Sequence, residues 1–234
     1  MVGLDAADLL AAWERGCGEP PLERALTLLA VGTGHAVDDA GTFDVGSRDV
    51  MLASLLVRIA GQEVWASVDC SGCRSPLDVR VDIGIVAELP TYPPGKFFEI
   101  EAAGSVVSFR LPTTLDLAAL GGHGRPAARR LLLDRCVRWT RETLPEDVAD
   151  GVEAAMESVA PAGAVEMAIR CGECGALTTA ALDLPALLWA EVEAQATRLL
   201  HDVDALARRY GWNETDVLAL SPRRRAAYLE LAGA

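Results

Sequence analysis

The chain has 234 residues, 51% of them hydrophobic, and a formal net charge of −13 from 34 acidic and 21 basic side chains. That length and apolar content suit one domain or two small ones with a sizeable core, and the acidic balance argues against non-specific nucleic-acid binding by the whole surface. Asp5 and Asp8 already interrupt the first ten residues and no apolar run approaches a membrane span, so the reading is a soluble, cytoplasmic protein without a cleavable leader.

Helix-forming apolar spacing predicts helices over 6–15 and 22–31, separated by the breaker Gly16-Cys17-Gly18-Glu19-Pro20-Pro21. Residues 32–44 read as a Gly/Asp-rich loop, and 47–59 as a helix with Ser47 at its N-cap and Gly61 closing it. Alternation of apolar and polar residues over 63–69 and through Leu77, Val79 and Val81 predicts two strands with Cys70 to Cys73 at the bend. A second hairpin, 96–103 and 105–111, turns at Gly104 and is followed by predicted helices over 114–120, 125–142 and 146–159. The pattern then returns to strand over 164–170 and 176–182 around Cys171-Gly172-Glu173-Cys174-Gly175. Pro185 opens a long helix that reaches Tyr210 and stops at Gly211, Asn213 caps a short helix through Leu220, and Ser221-Pro222 caps a last one to Leu231.

The two Cys-x-x-Cys pairs carry the clearest chemistry. Cys70/Cys73 and Cys171/Cys174 stand 101 residues apart in a chain with two other cysteines, Cys17 and Cys136, which lack partners at motif spacing. Thiolates suit zinc, and two knuckles supply four tetrahedral ligands. The flanks repeat as well: Val68-Asp69-Cys70-Ser71-Gly72-Cys73 lies over Ile169-Arg170-Cys171-Gly172-Glu173-Cys174, and Asp82-Ile83 over Asp183-Leu184. This predicts two copies of one hairpin facing each other across a single zinc ion.

A structural staple is the reading favoured over zinc catalysis, redox chemistry and nucleic-acid recognition. Four sulfurs close the coordination shell, whereas catalytic zinc keeps a position for water. Thioredoxin-like couples occur singly at a helix start, not twice at hairpin tips. His35, His123 and His201 have no ligand spacing, and no Gly-x-Ser-x-Gly elbow or phosphate-binding loop is present, so the chain reads as non-enzymatic. Arg208, Arg209, Arg223, Arg224 and Arg225 would permit a helix-turn-helix, but Glu214, Asp216 and Glu230 interleave with them. Trp212, Leu218, Leu220, Tyr228 and Leu231 more simply form the seam packing the short helices onto the long one, and the arginines suit bidentate contacts to acidic side chains of a protein partner instead.

The segment 199–229, with Tyr210-Gly211-Trp212 followed ten residues later by an Arg-rich helix ending in Tyr228-Leu229, resembles the end of the T-even-type baseplate hub assembly chaperone family. The resemblance extends to Cys171-Gly172-Glu173-Cys174-Gly175 and more weakly to Gly46-Ser47-Arg48-Asp49-Val50 and the first knuckle. The family pattern carries a His where Asp204 stands, so no role of that His transfers. What the resemblance implies is a non-enzymatic factor that builds or docks the hub or spike of a contractile phage tail or contractile injection system.

The expectation is therefore an α+β, mainly helical chain: an N-terminal helical region (1–62), zinc-ribbon hairpins with an inserted hairpin and helices (63–184), and a C-terminal three-helix unit (185–234). Zinc would be structural, on Cys70, Cys73, Cys171 and Cys174. Tyr210, Trp212, Arg223, Arg224, Arg225 and Tyr228 are the candidate surface for a baseplate hub or spike protein, or the seam of the helical unit. The alternative is a zinc-ribbon nucleic-acid-binding regulator.

Overall fold

The computed structural model describes residues 5–102, 104–139 and 143–233. It is α+β, mainly helical with small antiparallel sheets. The chain divides into two compact units, one from the N-terminal segment through His35 together with everything from Pro185 onward, the other Ala36–Leu184. This partition differs from the three consecutive stretches expected: the first two helices group with the C-terminal helices, and the helix before the first knuckle belongs to the central unit.

In the first unit, α1 (Ala6–Gly16) is capped by Asp5, whose carboxylate accepts from the Asp8 amide at 2.8 Å. Then comes α2 (Pro21–Thr33), with proline at its start and Gly34 in the left-handed region at its end. Gly16 is needed for packing, because a Cβ there would stand 2.4 Å from the Trp189 ring. Arg24 lies 4.2 Å over the same ring and donates from Nε to the Gly16 carbonyl.

The central unit opens with the short α3 (Val37–Ala40), within what the sequence suggested was loop, and α4 (Val45–Ala60). Ser47 is not the N-cap of α4. Asp44 is, accepting from the Ser47 amide at 2.9 Å, while Ser47 Oγ accepts from the Tyr92 amide at 2.8 Å. The first turn can start earlier because Gly46 presses on the backbone of a 3₁₀ turn, Pro161–Ala164; a Cβ on Gly46 would lie 2.9 Å from Ala160 Cβ. Arg48 and Asp49 pair at 2.7 Å inside this region, and Arg48 also donates to Thr114 Oγ1 at 3.1 Å. Burial raises the Asp49 carboxyl above its ordinary range, and Arg48 opposes the shift.

After α4 come β1 (Glu63–Asp69), β2 (Pro76–Asp82) and α5 (Ile83–Ala87), with β1 and β2 antiparallel from Glu63↔Asp82 to Asp69↔Pro76. β3 (Phe97–Ala102) and β4 (Ser105–Arg110) form the inserted hairpin, turning through Gly104 at φ +70°; Ala103 lies outside the described residues. α6 (Thr114–Ala118) is followed by α7 (Arg125–Cys136). Here the sequence misled, since the helix expected over 125–142 ends at Cys136 and Val137–Arg138 forms β5, paired to β4 through Phe109↔Val137. A β-branched residue gains more from that sheet edge than from another helical turn, and Arg138 stacks 3.7 Å over the Phe97 ring. Residues 140–142 of the expected helix lie outside the described residues.

α8 (Glu146–Val159) covers this three-stranded sheet. Val107, Phe109, Leu133, Val148 and Val152 form the buried centre, with Phe98 stacked on Phe109 at 5.7 Å. β6 (Glu166–Arg170) and β7 (Leu177–Ala181) make the second knuckle hairpin. α9 (Leu184–Tyr210), α10 (Glu214–Leu218) and α11 (Pro222–Ala232) end the chain, with Asn213 and Ser221 capping the last two as the sequence indicates. Among the described residues, no helix is long and apolar enough to cross a membrane.

Candidate metal centre

Both knuckles are built by the same hydrogen bonds. In the first, the Cys70 amide donates to the Ser75 carbonyl at 2.9 Å and the Arg74 amide to the Cys70 carbonyl at 3.0 Å; in the second, Cys171 donates to Ala176 at 2.9 Å and Gly175 to Cys171 at 3.1 Å. The residue after the second cysteine is left-handed in each, Arg74 at φ 64° and Gly175 at φ 74°. The repeat visible in the sequence is thus a repeat of backbone geometry.

These turns bring the four sulfurs together. All lie within 4.8 Å of one another, with Cys70 Sγ 3.6 Å from Cys174 Sγ and Cys73 Sγ 3.7 Å from Cys171 Sγ. A disulfide needs about 2.05 Å, whereas a tetrahedral ion with metal–sulfur bonds of about 2.3 Å needs a sulfur–sulfur edge of about 3.8 Å. The spacing fits the ion. Cys70 and Cys171 are buried and Cys73 and Cys174 exposed, so each knuckle contributes one inner and one outer sulfur.

Electrostatics prepares the cluster for a cation. The backbone amides of Cys73 and Gly72 favour the Cys70 thiolate and bring its pKa down to about 6, and Ser75 lowers that of Cys73. At Cys174 the Ala176 amide works in the same direction, but the sulfurs of Cys70 and Cys73 outweigh it and push the thiol up to about 11. Adjacent thiolates repel, and a divalent cation between them removes that penalty.

Contacts around the sulfurs join the two knuckles and were not legible from the Cys-x-x-Cys pattern. The Ser71 amide donates to Thr178 Oγ1 at 3.0 Å, and Thr178 is buried. Ser75 Oγ donates to Glu173, across from it in the other knuckle. Gly72 permits close approach, since a Cβ there would lie 3.0 Å from Ala176 Cβ and 3.2 Å from Cys174 Sγ. A usable signal lay in the repeat itself: Ser71 aligns with Gly172, and Thr178 with Leu77. The bridging residues sit where the two copies differ.

The C-terminal candidates fall into two groups. Tyr210 and Trp212 stack at 4.9 Å, and Tyr228 meets their rings edge-on at 5.9 and 4.8 Å. The three rings, each half-buried, form one cluster. Arg223 and Arg224 are exposed, whereas Arg225 is buried with its Nε 3.0 Å from Asp202 Oδ2.

The fold and the site define an α+β protein whose four cysteines cluster as in a split zinc ribbon and could hold a metal ion. Compared with protein-family models, curated proteins and solved structures, the chain matches none.

Proposed function

We propose that the chain is a zinc-stapled, non-enzymatic assembly chaperone or adaptor for the baseplate hub or spike of a contractile tail-like particle. The observation that carries this reading is the convergence of Tyr210, Trp212 and Tyr228, three residues of the segment that resembles the hub assembly chaperones, into one half-buried aromatic cluster, with exposed Arg223 and Arg224 on the same helix as Tyr228. Aromatic and arginine side chains dominate protein recognition surfaces.

Zinc is the ion that the donor set favours, because four thiolates in a tetrahedral arrangement suit it best among common divalent metals. Bound there, it would supply folding free energy and no chemistry. Cys70, Cys73, Cys171 and Cys174 would hold it, and the Ser71–Thr178 and Ser75–Glu173 contacts orient the two loops that present them.

The test is affinity purification of the tagged chain from cells assembling such particles, compared with the double variant Arg223→Ala/Arg224→Ala. Recovery of a hub or spike component by the parent and its loss with the variant is the expected result. Salt-sensitive binding to duplex DNA that disappears with Arg223→Ala would instead favour the nucleic-acid-binding regulator.

A further inference from the structure

Of the five tryptophans in the chain, only Trp65 is exposed, at 69%. It stands in the middle of β1 on the outer face of the first knuckle hairpin, opposite Arg80 of β2. Among the described residues no ring or cation lies against its indole, and its Nε1–H donates to no protein atom. Arg80, the nearest cation in the register, is paired with Glu63 at 3.3 Å instead.

The internal repeat shows that the hairpin does not need this ring. Trp65 comes five residues before Cys70 and Glu166 five before Cys171. The two hold the same place in their hairpins, Trp65↔Arg80 and Glu166↔Ala181. The outer face of the second copy carries no aromatic residue, and its two charges, Glu166 and Arg170, balance. The first copy thus adds to a shared scaffold a side chain that is among the most enriched at protein interfaces.

We infer that the outer face of the β1–β2 hairpin docks an arginine-bearing basic segment of a protein partner, with one guanidinium stacked on Trp65. The register places three exposed carboxylates around the ring: Glu63 two residues before it on β1, and Asp78 and Asp82 diagonally across on β2, a separation of about 7–8 Å. Arg80 offsets Glu63, while Asp78 and Asp82 have no cationic partner among the described residues. An indole face in that field attracts a cation through both its quadrupole and the carboxylates, and a flat guanidinium matches a flat ring better than an ammonium does.

Other occupants fit less well. Nucleic acid, whose bases also stack on exposed rings, would bring phosphates against the same carboxylates. A symmetric pairing of this face with its own copy would set the carboxylates against one another, and an aliphatic segment would bury them unpaired. The face lies in the central unit, so it stands or falls separately from the C-terminal surface proposed above.

The test uses the full-length, zinc-loaded chain and two fluorescein-labelled peptides, one with arginines at alternate positions and the other with neutral citrulline in their place. Fluorescence anisotropy should show the arginine peptide binding about tenfold tighter or more. Trp65→Ala changes no charge, so it separates this contact from general attraction by an acidic chain. It should weaken binding about five- to thirtyfold, the range of a cation–π contact, with zinc content and melting temperature unchanged. Asp78→Asn/Asp82→Asn should also weaken binding, since asparagine in place of Asp82 still caps α5. Glu99→Gln/Glu101→Gln, which removes the same charge from exposed positions of β3, should not.

Parent-like binding by Trp65→Ala, equal weakening by the two carboxylate pairs, or binding of neither peptide would overturn the inference. So would a single-stranded oligonucleotide bound by the parent and lost in Trp65→Ala, which would make the ligand a nucleic acid. A concentration-dependent dimer lost in the same variant would overturn it in favour of a second copy of this chain. If Trp65→Ala lowers the melting temperature, the comparison of the two carboxylate pairs decides.

Discussion

Arg74 is the one residue other than glycine with positive φ among the described residues, at a backbone position where the second knuckle uses Gly175. A left-handed residue with a Cβ costs roughly 1–2 kcal/mol, so Arg74→Gly should raise thermal stability by about 1 kcal/mol with zinc content unchanged, and Gly175→Ala should lower it by a similar amount. Calorimetric melting of both variants checks the pair. Asp116 is a second case in which local geometry sets behaviour. Burial disfavours its charge, but Arg110, Arg135 and the Thr113 amide outweigh burial and hold the carboxyl well below its ordinary range. A depressed pKa contributes stability that is fully present above the unfolded value near ~3.9 and is lost as pH falls below it. Melting temperatures from pH 6 down to 3 should therefore fall more steeply for the parent than for Asp116→Asn, which starts lower; parallel curves would contradict this.

At the scale of elements, what the sequence revealed was periodicity and capping, and what it concealed was competition between partners. The alternation through Val64, Ala66 and Val68, and the cap residues Asn213 and Ser221, could be read directly because each is decided by near neighbours. The end of α7 could not, because Val137 leaves the helix to pair with Phe109, a partner 28 positions away. Ser47 and Asp44 are both good caps, and the contact of Gly46 with Ala160 decided between them. Asp44→Ala should then cost about 1–2 kcal/mol, by loss of the cap. Ser47→Ala should also destabilise, but by removing the acceptor for the Tyr92 amide. Urea denaturation of each tests the assignment, and no effect from Asp44→Ala would contradict it. The same distinction explains the metal centre. The four ligands follow a fixed spacing and were legible, whereas Thr178 and Glu173 act on residues 107 and 98 positions away.

For the whole molecule, the two knuckle hairpins have no shared sheet: β1 pairs only with β2, and β6 only with β7, among the described strands. Two-stranded hairpins are marginal in isolation, so a cross-link between their tips has a large effect on the central unit. Structural zinc in small peptides contributes ~10–16 kcal/mol of apparent binding free energy, comparable with the stability of a domain. Cys171→Ser should therefore lower both zinc content and melting temperature, and a chelator should melt the central unit of the parent while leaving a metal-free variant unchanged. The most direct measurement is zinc analysis combined with X-ray absorption at the zinc edge on the purified full-length chain. The account predicts about one zinc per chain with four sulfur neighbours at about 2.3 Å. A fully stable chain without metal, or a shell containing nitrogen, oxygen or a bound water, would contradict it.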